Sequence, residues 1–180
     1  METSYHKRKL PHIQVQNMPN FITFRTHKSI DSYVKKLTQQ NKDTKIKQYE
    51  IDKYLDNSDK GAYLYGAQLK ILKSILHEKE KINYHLIAYA IMPNHIHLLI
   101  EPKKDLAIIM KTLKGRSAKL LNESLNIRGS FWAREYYDKV LRDEKQVNKT
   151  IRYILNNPVK ANLSDEKERV FCNTDFSRYE

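Results

Sequence analysis

The 180-residue chain has one cysteine, Cys172. A single thiol excludes an internal disulfide and any cysteine-based zinc cluster, and it points to a reducing, intracellular setting with Cys172 a bystander. Glycine is also scarce, at four residues: Gly61, Gly66, Gly115 and Gly129. They form no Walker-type phosphate loop, so no nucleotide cofactor of that kind is expected. No stretch approaches the ~20 apolar residues of a membrane span. The start, Met1 to Leu10, is basic with no apolar segment after it, and it does not read as a secretory signal.

What the chain has in excess is positive charge. Lys and Arg number 33 against 21 Asp and Glu, a net charge of +12. Residues 1–101 carry +6, residues 102–160 carry +8 over a shorter span, and residues 161–180 carry −2. Hydrophobic residues at 40% and charged residues at 30% suit one globular domain with a real core. A basic surface of this size fits a polyanionic partner, nucleic acid first, although solubility alone also produces such chains.

The sharpest local feature is Met92-Pro93-Asn94-His95-Ile96-His97-Leu98-Leu99-Ile100. The apolar run reads as a strand, in which residues two apart face the same side, about 6–7 Å apart. His95 and His97 therefore project together, as half of a metal site would. Two histidines on the wet face of an edge strand is the plainer alternative. The flanking Ile91, Leu98 and Ile100 argue instead for a buried strand, where unpaired imidazoles are costly.

Residues 1–18 read as a polar, mobile, basic lead. Phe21–Thr26 alternates as a strand does, and 31–60 reads as a polar helical insertion ending in turn residues. Leu64–Glu80 is a helix with a buried stripe. Tyr84–Met92 and His95–Glu101 are strands joined at Pro93-Asn94. Leu106–Asn122 is a helix, Tyr136–Leu141 a short strand and Asp143–Asn156 a last helix stopped by Pro158. Residues 164–180 read as a tail. This order predicts a single α+β domain: a ferredoxin-like antiparallel sheet with helices on one face and an extra C-terminal helix.

On that last helix, Val147, Thr150, Ile151, Ile154 and Leu155 share one side. Lys145, Lys149, Tyr153 and Asn157 form an i, i+4 stripe away from its centre. A phenol there can reach a substrate, and an Asn carbonyl can serve a hard cation; Tyr153 as an ordinary border residue is the alternative.

Pro93-Asn94-His95-Ile96-His97, then Phe131-Trp132, Tyr136-Tyr137-Asp138 and Leu141-Arg142-Asp143-Glu144, and finally Arg152-Tyr153-Ile154 and Asn156-Asn157-Pro158-Val159-Lys160 occur in a fixed order. The set resembles the REP-associated tyrosine transposases, within the single-tyrosine His-hydrophobe-His transposases. The resemblance implies a DNA endonuclease and strand transferase with Tyr153 as nucleophile. It implies one Mg2+ or Mn2+ held by His95, His97 and Asn157. It further implies single-stranded hairpin DNA as substrate, a homodimer, and a bacterial cytoplasmic, nucleoid-associated setting. Nothing is carried over for 31–60.

The residue types suit that chemistry. A phenolate attack on phosphorus would leave a 5′-phosphotyrosine and a free 3′-OH, conserving the bond energy for rejoining. Lys111, Lys114, Arg116, Lys119, Lys149, Arg152 and Lys160 are the expected phosphate contacts. Trp132, beside Phe131 in a loop, could stack on an unpaired base or plug the core. Two rivals stand beside the transferase reading: a catalytically silent single-strand-binding protein, and a hydrolase in which water attacks.

Overall fold

Alternation of apolar residues builds a sheet covered on both sides. The computed structural model describes residues 3–7, 11–15, 18–27, 29–40 and 43–173. Its elements are β1 (Thr3–Lys7), β2 (Pro11–Val15), β3 (Asn20–Arg25), α1 (Asp31–Thr38), α2 (Thr44–Asp56), α3 (Gly66–Glu78), β4 (Tyr84–Ile91), β5 (His95–Pro102), α4 (Leu106–Leu125), β6 (Tyr137–Val140), α5 (Glu144–Lys160), α6 (Glu166–Arg169) and β7 (Val170–Cys172). The main sheet has the order β6-β3-β5-β4-β7, with every pairing antiparallel. Its first four strands, with α3 and α4 as the connecting helices, make the expected ferredoxin-like unit.

Two cores lie on opposite faces. Ile22 and Phe24 of β3 and Ile96, Leu98 and Ile100 of β5 pack with Leu69, Leu72 and Leu76 of α3 and Ile109, Met110 and Leu113 of α4. Phe21 of β3 and Leu99 of β5 pack with Val147 and Ile154 of α5 on the other face. A register shift between Leu86 and Ala88 of β4 changes the phase of alternation, so Ile87, Ala88 and Ala90 all join the α5 side. Burial on both faces explains why β4 and β5 read as almost continuous apolar runs.

The structure corrects the reading at four places. The expected polar lead contains β1 and β2, which pair antiparallel, and β2 lies against β6. The expected tail contains α6 and β7, and β7 extends the sheet beyond β4. Phe171 stacks on Tyr89 with ring centroids 5.4 Å apart, and the fully buried Arg169 donates from Nη1 to the carbonyls of Leu64 and Ile91. Pro158 lies inside α5 rather than ending it. Proline here removes only one bond of the last turn, to the Ile154 carbonyl, and burial of Asn157 and Pro158 holds that turn down. Finally, α4 runs on to Leu125, where Asn126 ends it in the left-handed conformation at φ 51°.

A buried side chain helps to dock the 31–60 insertion, which forms α1 and α2. Asn94, in the turn between β4 and β5, is buried, and its Nδ2 donates to the carbonyls of Leu55 at 3.1 Å and Ser58 at 2.7 Å. These bonds tie the end of α2 to the start of the histidine strand.

Candidate active site

His95 and His97 face α5, and both are fully buried. Their Nε2 atoms lie 3.0 Å apart. Because the Nδ2 of Asn94 is spent on carbonyls, its Oδ1 accepts from His95 Nδ1 at 2.8 Å. The proton of His95 therefore sits on Nδ1, and its Nε2 is the acceptor that faces His97 Nε2. His97 Nδ1 lies 3.0 Å from Thr23 Oγ1 on the paired strand β3. Burial lowers the His97 imidazole to about 3, and burial together with the charge of His97 holds His95 well below its ordinary value. Both rings are neutral at pH 7, as metal ligands must be.

Tyr153 reaches the same place from α5. Its ring lies 5.2 Å from that of His97 and 6.0 Å from that of Phe21, edge-on to both. Its hydroxyl donates to Asp52 Oδ2 at 3.1 Å, across 101 residues of chain. Gln48 Nε2, one turn earlier on α2, donates to Asp52 Oδ1 at 2.6 Å. One turn later on α2, Asp56 puts Oδ1 3.6 Å from His95 Nε2, where that oxygen is buried without a hydrogen bond. Asn157 is buried one turn beyond Tyr153 and interacts with its hydroxyl, although its Nδ2 lacks a partner at hydrogen-bond distance.

The donor set suits a divalent cation. Two neutral imidazole nitrogens converge, a carboxylate oxygen beside them is orphaned, and a buried amide is under-satisfied. No three His, Cys, Asp or Glu side chains form a metal cluster among the described residues. The third ligand would then be the amide oxygen of Asn157, with Asp56 adding negative charge nearby.

The protonation pattern is set by burial. Asp52 is pushed up to about 7 by burial, against the lowering hydrogen bonds from Gln48 and Tyr153, and the charge of Asp56 adds to the rise. Asp56 is pushed up to about 6 by burial, partly offset by Lys160. The Tyr153 phenol is held well above its ordinary value, by burial first and the Asp52 charge second.

These shifts carry a stability prediction. Asp52 titrates near 7 when folded and near its ordinary 3.8 when unfolded, so the folded chain holds the extra proton between those limits. Stability must fall as pH rises through that window, and Asp56 acts in the same sense up to about 6. His97 acts oppositely: with a folded value near 3 and an ordinary 6.5, it adds stability as pH rises from 3 to 6.5. Above pH 6.5 the Asp52 contribution dominates. Without divalent metal, Asp52→Asn should be more stable than the parent at pH 8 by a few kcal/mol, order of magnitude, and the gap should shrink toward pH 4. Urea denaturation across that range measures it; a constant gap contradicts it.

The expected phosphate contacts divide between two faces. Lys149, Arg152 and Lys160 are exposed on α5, and Lys160 Nζ lies 6.0 Å above the Tyr153 ring. Lys111, Arg116 and Lys119 are exposed on α4, across the sheet from the histidines, and Arg116 pairs with Glu78. Lys114 Nζ donates to the carbonyls of Ala133 and Arg134. Trp132 is the core plug rather than a stacking platform: it is buried, packs on Phe24 at 4.8 Å, and donates from Nε1 to Ser117 Oγ. Asp52 and Asp56 are the site residues that sequence reading missed. Their i, i+4 spacing on one helix face was the available signal.

The family described as "Transposase IS200 like" matches residues 58–157. That is more than half of the 180 residues, and the chain belongs to this family. A relative from Haemophilus influenzae, named "Putative REP-associated tyrosine transposase", is 30% identical over 93 residues, covering 45% of this chain and 53% of that protein. The chain thus spans about half the length of the curated relative it matches. A solved REP-associated tyrosine transposase bound to a REP hairpin aligns with a TM-score of 0.53 at 15% identity, over 88% of this chain and 74% of that one. At that identity the likeness is one of fold. No helix among the described residues is long and apolar enough to cross a membrane.

Proposed function

We propose that this chain is a metal-dependent single-stranded DNA endonuclease and strand transferase that acts at hairpin elements through a 5′-phosphotyrosine on Tyr153. One observation carries the reading: the Tyr153 ring lies against a buried pair of neutral histidines whose Nε2 atoms converge. Membership of the transposase family and the hairpin-bound relative of similar fold support it.

His95, His97 and Asn157 would hold Mg2+ or Mn2+, which when bound supplies a positive charge to polarise the scissile phosphate. The chain itself does the rest. Phe21 and His97 fix the tyrosine ring, so the nucleophile is positioned before DNA arrives. Lys149, Arg152 and Lys160 supply positive charge beside it for the strand on either side of the cut. Attack leaves the phosphoryl group on Tyr153 and a free 3′-OH, and a second 3′-OH can reverse the step, so cutting and rejoining need no nucleotide. A homodimer in a bacterial cytoplasm belongs to this reading by resemblance.

The test is incubation of the protein with Mn2+ and labelled single-stranded hairpin oligonucleotides, followed by denaturing gels. A shifted band that resists denaturation and needs the metal is the expected result, with no cutting of blunt duplex of the same sequence. Cleavage without adduct would overturn it in favour of attack by water, and efficient duplex cleavage would overturn the single-strand substrate.

A further inference from the structure

On the reading of Tyr153 as nucleophile, its proton needs a destination, and on the same reading the histidine Nε2 atoms are committed to the metal. His95 Nδ1 and His97 Nδ1 are engaged by Asn94 and Thr23, and their Nε2 atoms face each other. The Tyr153 hydroxyl points instead at a carboxylate from the inserted helix. We propose that Asp52 is the general base that takes the Tyr153 proton during attack and returns it during rejoining.

Four observations carry this. The hydroxyl donates to Asp52 Oδ2 at 3.1 Å, within the range for direct transfer. Gln48 Nε2 holds the other carboxylate oxygen at 2.6 Å, which leaves Oδ2 as the oxygen aimed at the phenol. Asp52 is itself buried, and a buried carboxylate is costly without a task or a partner. Asn94 anchors the end of α2 to the turn preceding His95, so the base and the histidines sit on one rigid support. Burial also brings Asp52 to about 7, close to the best match for a base working at neutral pH. Asp52 lies outside the 58–157 span matched by the family, so the insertion would contribute a catalytic group of its own.

The step balances without a further reactant. The Tyr153 Oη–P bond forms as the P–O3′ bond breaks. The phenolic proton passes to Asp52 Oδ2, and the departing 3′ oxygen takes one from solvent. No electron is gained or lost.

Asp52→Asn keeps the shape, and with its Nδ2 donating to a flipped Gln48 amide its oxygen can still accept the phenol hydrogen bond, but it cannot take the proton. Single-turnover cleavage of a single-stranded hairpin oligonucleotide should slow about 10²–10⁴-fold. DNA affinity should stay within about twofold, since no DNA contact is removed. Rejoining should slow by the same factor as cleavage, leaving the ratio of cleaved to intact DNA at equilibrium unchanged. A misplaced tyrosine would slow both directions alike, so the rescue of Asp52→Ala is what separates a base from a positioning role. Asp52→Ala provides the second measurement: formate should restore its rate in proportion to concentration, and should do nothing for Tyr153→Phe. Asp52→Asn cutting at the parental rate, or a loss that tracks weakened DNA binding, overturns the assignment while wild-type adduct still forms. No adduct from wild type overturns the nuclease reading and this one with it.

Discussion

Tyr153→Phe should abolish the covalent protein–DNA adduct and leave hairpin binding within about twofold of the parent. The expected loss is total, because the substitution removes the one atom that the proposed mechanism bonds to phosphorus; metal and positioning cannot compensate for an absent nucleophile. Binding should persist because the ring, not the hydroxyl, makes the packing contacts. The phenyl ring left in that variant would keep the edge-on contacts to Phe21 and His97. The variant should also fold, since the deleted hydroxyl donates its hydrogen bond to Asp52, whose other oxygen Gln48 still holds. Filter binding and denaturing gels on the same samples separate the outcomes. Adduct lost with binding retained supports the single-tyrosine mechanism. Cleavage retained in the variant means water attacks. An adduct that persists moves the nucleophile to another residue, with Tyr137 first to be tested because it packs on Phe21 as well.

The residues of this site differed in how far the sequence disclosed them. His95 and His97 were readable because a strand has a period of two, and the apolar run on both sides of them marked the strand as buried. Tyr153 and Asn157 were readable as an i, i+4 pair. What the helical wheel misjudged was the width of the buried face: the stripe placed away from its centre includes Asn157, which is buried. Asp52 and Asp56 stayed hidden for a different reason. Their spacing shows that they share a face of α2, but no local pattern says that this face meets a tyrosine 101 residues further on. The anchor that brings them there, Asn94, reads locally as a turn residue, and its bonds to the Leu55 and Ser58 carbonyls are long-range. Strands β1, β2 and β7 were missed because Thr3–Lys7 and Pro11–Val15 are largely polar and Val170–Cys172 is only three residues, so each is defined by its partner more than by its own alternation. Trp132 shows the converse error. A tryptophan after Gly129-Ser130 reads as a loop aromatic, yet Thr26 and Trp132 form a β-bridge that turns it into the core.

The second large effect should come from the histidines, and it should separate metal binding from folding. His97→Ala and His95→Ala should each weaken Mn2+ binding by more than the roughly 10–100-fold typical of losing an outer-shell partner, since each removes a proposed ligand outright. Adduct formation should drop below detection in both. Calorimetric titration with Mn2+ reads the binding directly. Saturating Mn2+ should raise the melting temperature of the parent and of Tyr153→Phe, because a ligand that binds only the folded state adds stability in proportion to the logarithm of its concentration over its dissociation constant. Neither histidine variant should show that rise. The two should differ in stability without metal. His97 bonds Thr23 and stacks on Phe21 at 5.7 Å, so its loss leaves a cavity between β3, β5 and α5. His95 bonds Asn94, whose amide holds α2 in place, so its loss reaches the carboxylates as well. Both variants should therefore disturb the Asp52–Tyr153 contact, His95→Ala from the α2 side and His97→Ala by loosening the Tyr153 ring it packs against. A melting temperature that Mn2+ raises equally in the parent and both variants would place the metal elsewhere, and would leave the buried pair as a structural feature of the sheet.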